Sequence, residues 1–100
     1  MDFEWDETKR QTNILKHDVD LLEAVVIFDD FTVIEQDSRD YGGETRWKAT
    51  GMIEGECFVL IYTQRGNAMR LISAWKGGRR ARRKYQTRYA GRDPWDAGSR

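Results

Sequence analysis

Across residues 45–74 three strand-like runs follow one another with only tight turns between them, and this spacing constrains the fold more than any other feature of the chain. Residues 45–53 alternate, with Trp47, Ala49, Gly51 and Ile53 on one side, as a strand with one buried face does. Glu54-Gly55-Glu56 reads as a turn. Residues 57–64 are the most β-prone run, Phe58-Val59-Leu60-Ile61-Tyr62-Thr63 at its heart, and read as a central strand. Arg65-Gly66-Asn67 reads as a hairpin turn into a further strand over residues 68–74. Connections this short cannot hold a crossover, so neighbouring strands must run antiparallel as a meander. The β-branched run 32–36 adds a fourth strand, joined across a polar, glycine-bearing loop over residues 37–43.

Helical signals flank these runs. Asp6 can cap a helix over residues 7–17 with Ile14 and Leu15 facing inward. Asp20-x-x-Glu23 reads as a capping box that opens a second helix over residues 21–28, where Leu21, Leu22, Val25 and Phe28 recur at helical spacing. Phe3 and Trp5 alternate with acids, as in a short edge strand or an extended lead-in. Residues 79–89 read as a strongly basic helix whose buried stripe would be Ala81, Tyr85 and Tyr89. The expected fold class is therefore α+β: two N-terminal helices, a four-stranded antiparallel sheet and a C-terminal basic helix. One domain is expected over residues 1–90, followed by a tail over 91–100 tacked down by Trp95.

The formal net charge of zero conceals a polarity. Residues 1–63 hold 6 Lys/Arg against 15 Asp/Glu, and residues 64–100 hold 11 Lys/Arg against 2 Asp/Glu. Eight of the cations fall within residues 76–92, too dense to be cancelled entirely by internal pairing. Such asymmetry points to an anionic partner, here RNA. Arg79, Arg80, Arg82, Arg83, Lys84 and Arg88 would contact phosphates, and Trp75, Tyr85 and Tyr89 would either stack on bases or serve as core.

Other chemistries find little footing. The acidic start, Met1-Asp2-Phe3-Glu4-Trp5-Asp6, is unlike a signal peptide, no apolar run is long enough to span a bilayer, and one cysteine leaves no internal disulfide. A cytoplasmic protein without a membrane partner is expected. One Cys and one His at no ligand spacing offer no zinc set, and Arg39 and Tyr41 occupy ligand positions of the only calcium-like loop. No metal and no cofactor are expected. His17 reads either as an acid–base group near neutrality or as a favourable residue at a helix C-terminus. Cys57 reads as a buried strand residue.

Short motifs in a fixed order add a resemblance. Phe3-Glu4-Trp5-Asp6, Lys9, Asn13, Lys16-His17, Glu23-Ala24 and Phe28-Asp29 come first. Arg46 with Gly51, Tyr62-Thr63-x-Arg65-Gly66, Arg70-Leu71-Ile72-Ser73-Ala74 and an Arg-rich helix with Tyr85 follow. From about residue 3 to residue 89 the chain resembles the BrnT toxins. The resemblance implies a type II toxin–antitoxin toxin with a RelE-like fold: a metal-independent endoribonuclease that cleaves RNA and inhibits translation. It also implies neutralisation by a BrnA-type ribbon-helix-helix antitoxin, with DNA reached only through that antitoxin. Metal-free RNA cleavage uses the 2′-hydroxyl as nucleophile and needs cations on the phosphate and two proton transfers. Arg46, Lys48, Arg65 and Arg70, on strands or at their ends, and Arg79 and Arg80, opening the last helix, are the candidate cations. Tyr85, or else His17, is the candidate for a proton.

Two positions depart from the family pattern. Trp75 stands where the family places an arginine after Ile72-Ser73-Ala74, and Ala81 where it often has a glutamate. These departures favour a second reading, an attenuated or inactive homologue that acts as a binding protein in an antitoxin–repressor complex. A third reading, a small DNA-binding module, fits poorly with a sheet between the helices.

Overall fold

The computed structural model describes residues 2–39 and 41–92. Asp6 accepts a hydrogen bond from Lys9 N–H (3.1 Å) and opens helix α1 (Glu7–His17), which Asp18 closes in a left-handed conformation at φ 55°. Asp20 opens α2 (Leu21–Ala24) by accepting from Leu22 N–H (3.0 Å). The same carboxylate accepts from Nε and Nη2 of Arg10, both at 2.7 Å, and so ties α2 to α1. The single helix expected over residues 21–28 is instead this four-residue α2 running into a 3-10 helix (Val25–Asp29). Branching at Val25, Val26 and Ile27 disfavours an α-helix, and the buried residues Leu21, Ala24 and Ile27 recur every three residues, the 3-10 period.

The β-prone runs form β2 (Val33–Gln36), β3 (Trp47–Ile53), β4 (Glu56–Arg65) and β5 (Ala68–Lys76), an antiparallel meander as their spacing predicts. The four-stranded antiparallel sheet is nevertheless incomplete as an expectation. A fifth strand, β1 (Asp2–Glu4), joins the open edge of β5, and it runs parallel, so the sheet is mixed with order β1-β5-β4-β3-β2. Parallel pairing is possible because α1, α2 and three strands intervene and supply the long return that tight turns cannot.

β1 covers only Ala68 to Arg70 of that edge. Further along, Asn13 of α1 takes over. Its Nδ2 donates to Ala74 O and Val19 O, both at 2.8 Å, and its Oδ1 accepts from Ala74 N–H (3.2 Å) and Ser73 Oγ (3.1 Å). Asn13, not the expected Ile14 or Leu15, is thus the buried residue of α1, and Leu15 is 88% exposed. A helix lying across an open strand edge must present a polar group there, because unpaired buried backbone groups are costly.

The meander buries both faces. Ala49, Leu60 and Ala74 stand in register on one face and pack with Tyr62, Met69 and Leu71 against Leu21, Ala24 and Ile27. Ile27 approaches β3 so closely that a Cβ at Gly51 would lie 2.6 Å from its own Cβ. On the other face Val33, Thr50 and Val59 stand in register and are buried with Cys57. Helix α3 (Arg79–Ala90) packs there on β3 and β4. Of its expected stripe, Tyr85 is buried and Ala81 half-buried, whereas Tyr89 is 41% exposed under the guanidinium of Arg92. The expected anchoring by Trp95 falls outside the described residues. Among the described residues no helix is long and apolar enough to cross a membrane.

Candidate functional site

A register shift in the β4–β5 ladder shapes a broad depression. Ile61 faces Ser73 but Tyr62 faces Leu71, so Ile72 is an extra residue in β5. Such a bulge re-aims side chains. Here Ile72 and Ser73 both line a depression of about 740 Å³, with Ile61 of β4 behind them. Trp75 and Lys76 extend its wall along β5. Lys16 and His17 close one side from the end of α1, and the segment before β3 closes the other with Arg39, Tyr41 and Arg46.

Charge in this depression is mostly tethered from behind. The Arg46 guanidinium lies 4.0 Å over the Tyr41 ring, and its Nε donates to Glu44 (2.9 Å). Glu44 also pairs with Arg65 at 3.6 Å, so one carboxylate aligns two arginines, and Arg46 first and then Arg65 hold that carboxyl below its usual range. Asp37 accepts from Arg39 Nη2 and from the Tyr41 hydroxyl, both at 2.7 Å. Hydrogen bonding from Arg39, above all, holds the Asp37 carboxyl far below the ordinary range, while burial and the Asp37 bond push the Tyr41 hydroxyl up. Lys76 pairs with Glu56 at 3.0 Å. His17 lies 6.0 Å from the Trp75 ring, tilted by 43°. Cations on a concave wall with an indole among them suit a phosphate with a base attached.

The candidate residues named from sequence divide among several places. Arg46 lines the depression. Lys48 stands in register with Ile61 and so shares its sheet face. Arg70, opposite Thr63, is bound to Glu4 at 3.5 Å, beside β1. Arg65 joins the site through Glu44. Arg79 and Arg80 are exposed in the first turn of α3, and Arg79 lines a separate hollow of about 420 Å³ with Arg82 and Arg83. Tyr85 is buried, its hydroxyl donates to Phe31 O (3.1 Å), and burial pushes its pKa up. Sequence reasoning did not single out Arg39, Tyr41, Ser73 or Lys76 as site residues. Lys16-His17, Arg46 and Trp75 around them were marked by motif or residue type.

The two charged halves do pair in part. Arg65–Glu44, Arg70–Glu4, Lys76–Glu56 and Lys84–Glu35 each join a C-terminal cation to an N-terminal acid. Among the described residues Lys9, Lys16, Lys48, Arg79, Arg80, Arg82, Arg83, Arg88 and Arg92 make no ion pair, so the unpaired charge lies on α1, on β3 and on and just beyond α3. A family model described as the ribonuclease toxin BrnT of type II toxin–antitoxin systems matches residues 5–84. Comparison with curated proteins gives no match.

Proposed function

The chain belongs to the BrnT family of type II toxin–antitoxin ribonuclease toxins, and from that premise we propose that it is a RelE-like endoribonuclease that cleaves RNA in the β4–β5 depression without a metal ion. The observation that carries this reading is the cationic wall of Lys16, Arg39, Arg46 and Lys76 around Trp75. A metal-free cleavage must neutralise charge on the phosphorane with side chains, and guanidinium groups do this through paired donors. Arg46 keeps donors beyond the Nε–H that Glu44 uses. Lys48, Arg65 and Arg70 extend the cationic track along the sheet, and Arg79 and Arg80 hold flanking RNA. Tyr85, with its hydroxyl committed to Phe31 O, anchors α3. In this reading the protein acts in the cytoplasm, blocks translation and is neutralised by a BrnA-type antitoxin through which alone it reaches DNA.

The test is cleavage of single-stranded RNA in excess EDTA. The expected products carry a 2′,3′-cyclic phosphate and a 5′-hydroxyl, and Arg46→Ala lowers the rate about a hundredfold or more at unchanged melting temperature. Activity that vanishes in EDTA and returns with magnesium would overturn the metal-free part. One observation favours the second reading, an attenuated toxin that acts chiefly by binding: an indole, not a guanidinium, occupies the β5 wall of the depression at Trp75.

A further inference from the structure

We infer that His17 is the group that takes the 2′-hydroxyl proton in this depression, with Trp75 as the wall that positions its ring. The inference rests on the ribonuclease reading above. Asn13, one helical turn before His17, is fastened to Ser73 and Ala74 of β5, which sets the end of α1 against the strand that carries Trp75. The imidazole is half-buried, 6.0 Å from the indole, and lines the depression opposite Arg46. Among the described residues neither of its ring nitrogens has a hydrogen-bond partner, so both are open to a substrate.

The hydroxyls near the depression and the acids on its far side are committed. The Tyr41 hydroxyl donates to Asp37, the Tyr85 hydroxyl to Phe31 O and the Ser73 hydroxyl to Asn13. The Asp37 and Glu44 carboxyls are held low by their arginines and do not accept a proton near neutrality. Cys57 is buried and its thiol is pushed up. An imidazole can take a proton on a ring nitrogen within hydrogen-bond reach of a bound hydroxyl, and His17 lines the depression where such a hydroxyl would sit. The charged groups around it are Lys16 and Asp18 on its own chain segment, Lys76 on β5, and Arg39 and Arg46 across the depression. Packed beside α1, α2 offers Asp20, which is tied to Arg10.

In the step, a neutral imidazole nitrogen removes the 2′-hydroxyl proton and the 2′-oxygen bonds to phosphorus. The P–O5′ bond breaks with its electron pair on O5′, which takes a proton from water. The imidazolium returns its proton to the hydroxide so formed, and RNA leaves as a 2′,3′-cyclic phosphate and a 5′-hydroxyl.

The experiment is single-turnover cleavage of a short single-stranded oligoribonucleotide by the full chain, as wild type and His17→Gln, across pH and with melting temperatures measured alongside. The expected result is a loss of about a hundredfold or more in His17→Gln, loss of the acidic limb of the rate profile, and partial rescue of His17→Ala by added imidazole. If wild type cleaves and His17→Gln retains both rate and limb, the inference is wrong and the ribonuclease reading survives. If wild type cleaves no RNA, both fall. Should the variants fail to fold, the wild-type imidazole resonances are followed on adding the 2′-O-methyl oligonucleotide. A shift of those signals supports contact with substrate, and signals unmoved at saturation overturn it.

Discussion

Asn13 performs a task that a strand would otherwise perform. Its amide pairs with both backbone groups of Ala74, at 2.8 and 3.2 Å, and holds Val19 O as well. Asn13→Ala leaves these groups buried without partners, at about 1–3 kcal/mol for each that water cannot reach. The expected outcome is a melting temperature lower by roughly 10 °C or more, given about 4–8 °C per kcal/mol for a domain of this size. Asn13→Asp should recover little, since a carboxylate cannot donate to Val19 O or Ala74 O; a variant that melts like wild type would show the edge to be solvated. Trp75 poses a question of activity. Its ring lies 6.0 Å from that of His17 and lines the depression, where an arginine would add a guanidinium that an indole cannot replace. If the chain is attenuated, Trp75→Arg should raise RNA cleavage and growth arrest at equal expression. Wild type already fully toxic, with the variant no worse, would place the needed cations elsewhere, at Arg46 first.

Between elements, one contact ties α1 to α2 and another seats the 3-10 helix on the sheet. The α1–α2 corner is held by Arg10 and Asp20, 2.7 Å apart and both largely shielded from solvent. The Arg10 hydrogen bond, followed by that from Leu22 N–H, lowers the Asp20 carboxyl below its usual value. A lowered folded-state pKa means that the stabilisation is fully present above the unfolded value and is lost as pH falls through the folded one. Denaturant midpoints of wild type should therefore fall on acidification below about pH 4, and Asp20→Asn should be less stable at neutral pH with a flatter acid limb. Identical slopes in the two proteins would remove this pair from the acid response. At the other contact, the 3-10 helix presses Ile27 onto Gly51 with no room for a methyl group. Gly51→Ala must push the helix off β3, with an expected cost of about 1–3 kcal/mol in chemical denaturation. A neutral result would mean that the helix yields freely.

Seen whole, the molecule sorts its charges by place. Cations at the ends of β4 and β5 are paired with acids of the N-terminal half, whereas Arg79, Arg80, Arg83 and Arg88 on α3 make no ion pair among the described residues. These unpaired arginines favour counterion-releasing contacts with a polyanion. RNA binding should weaken steeply as salt rises, and Arg79→Ser with Arg83→Ser should flatten that dependence by up to about two in the log–log slope. Equal slopes for both proteins would show that α3 faces away from bound RNA.

The sequence by itself determined whatever is local. Alternation and tight turns specified the meander of β2 to β5, Asp6 and Asp20 marked where the helices begin, and composition exposed the charge polarity. Within the depression, Arg46, Trp75 and His17 could be singled out because an unusual residue type or a motif marked each of them. Only the tertiary structure decided the rest. The parallel pairing of β1 with β5 joins residues more than sixty positions apart, and no short-range period records it. Leu15 reads as a core residue until the open edge of β5 claims Asn13 instead. Arg39 and Lys76 look like ordinary surface charge along the chain, and they face one depression only because a bulge at Ile72 and the end of α1 converge there. Tyr85 shows the converse, a motif residue that packing turns inward to Phe31. Hydrophobic period and capping act over a few residues and are legible in one dimension. A site assembled from four separate segments depends on which strand edges and faces remain open after the chain has folded.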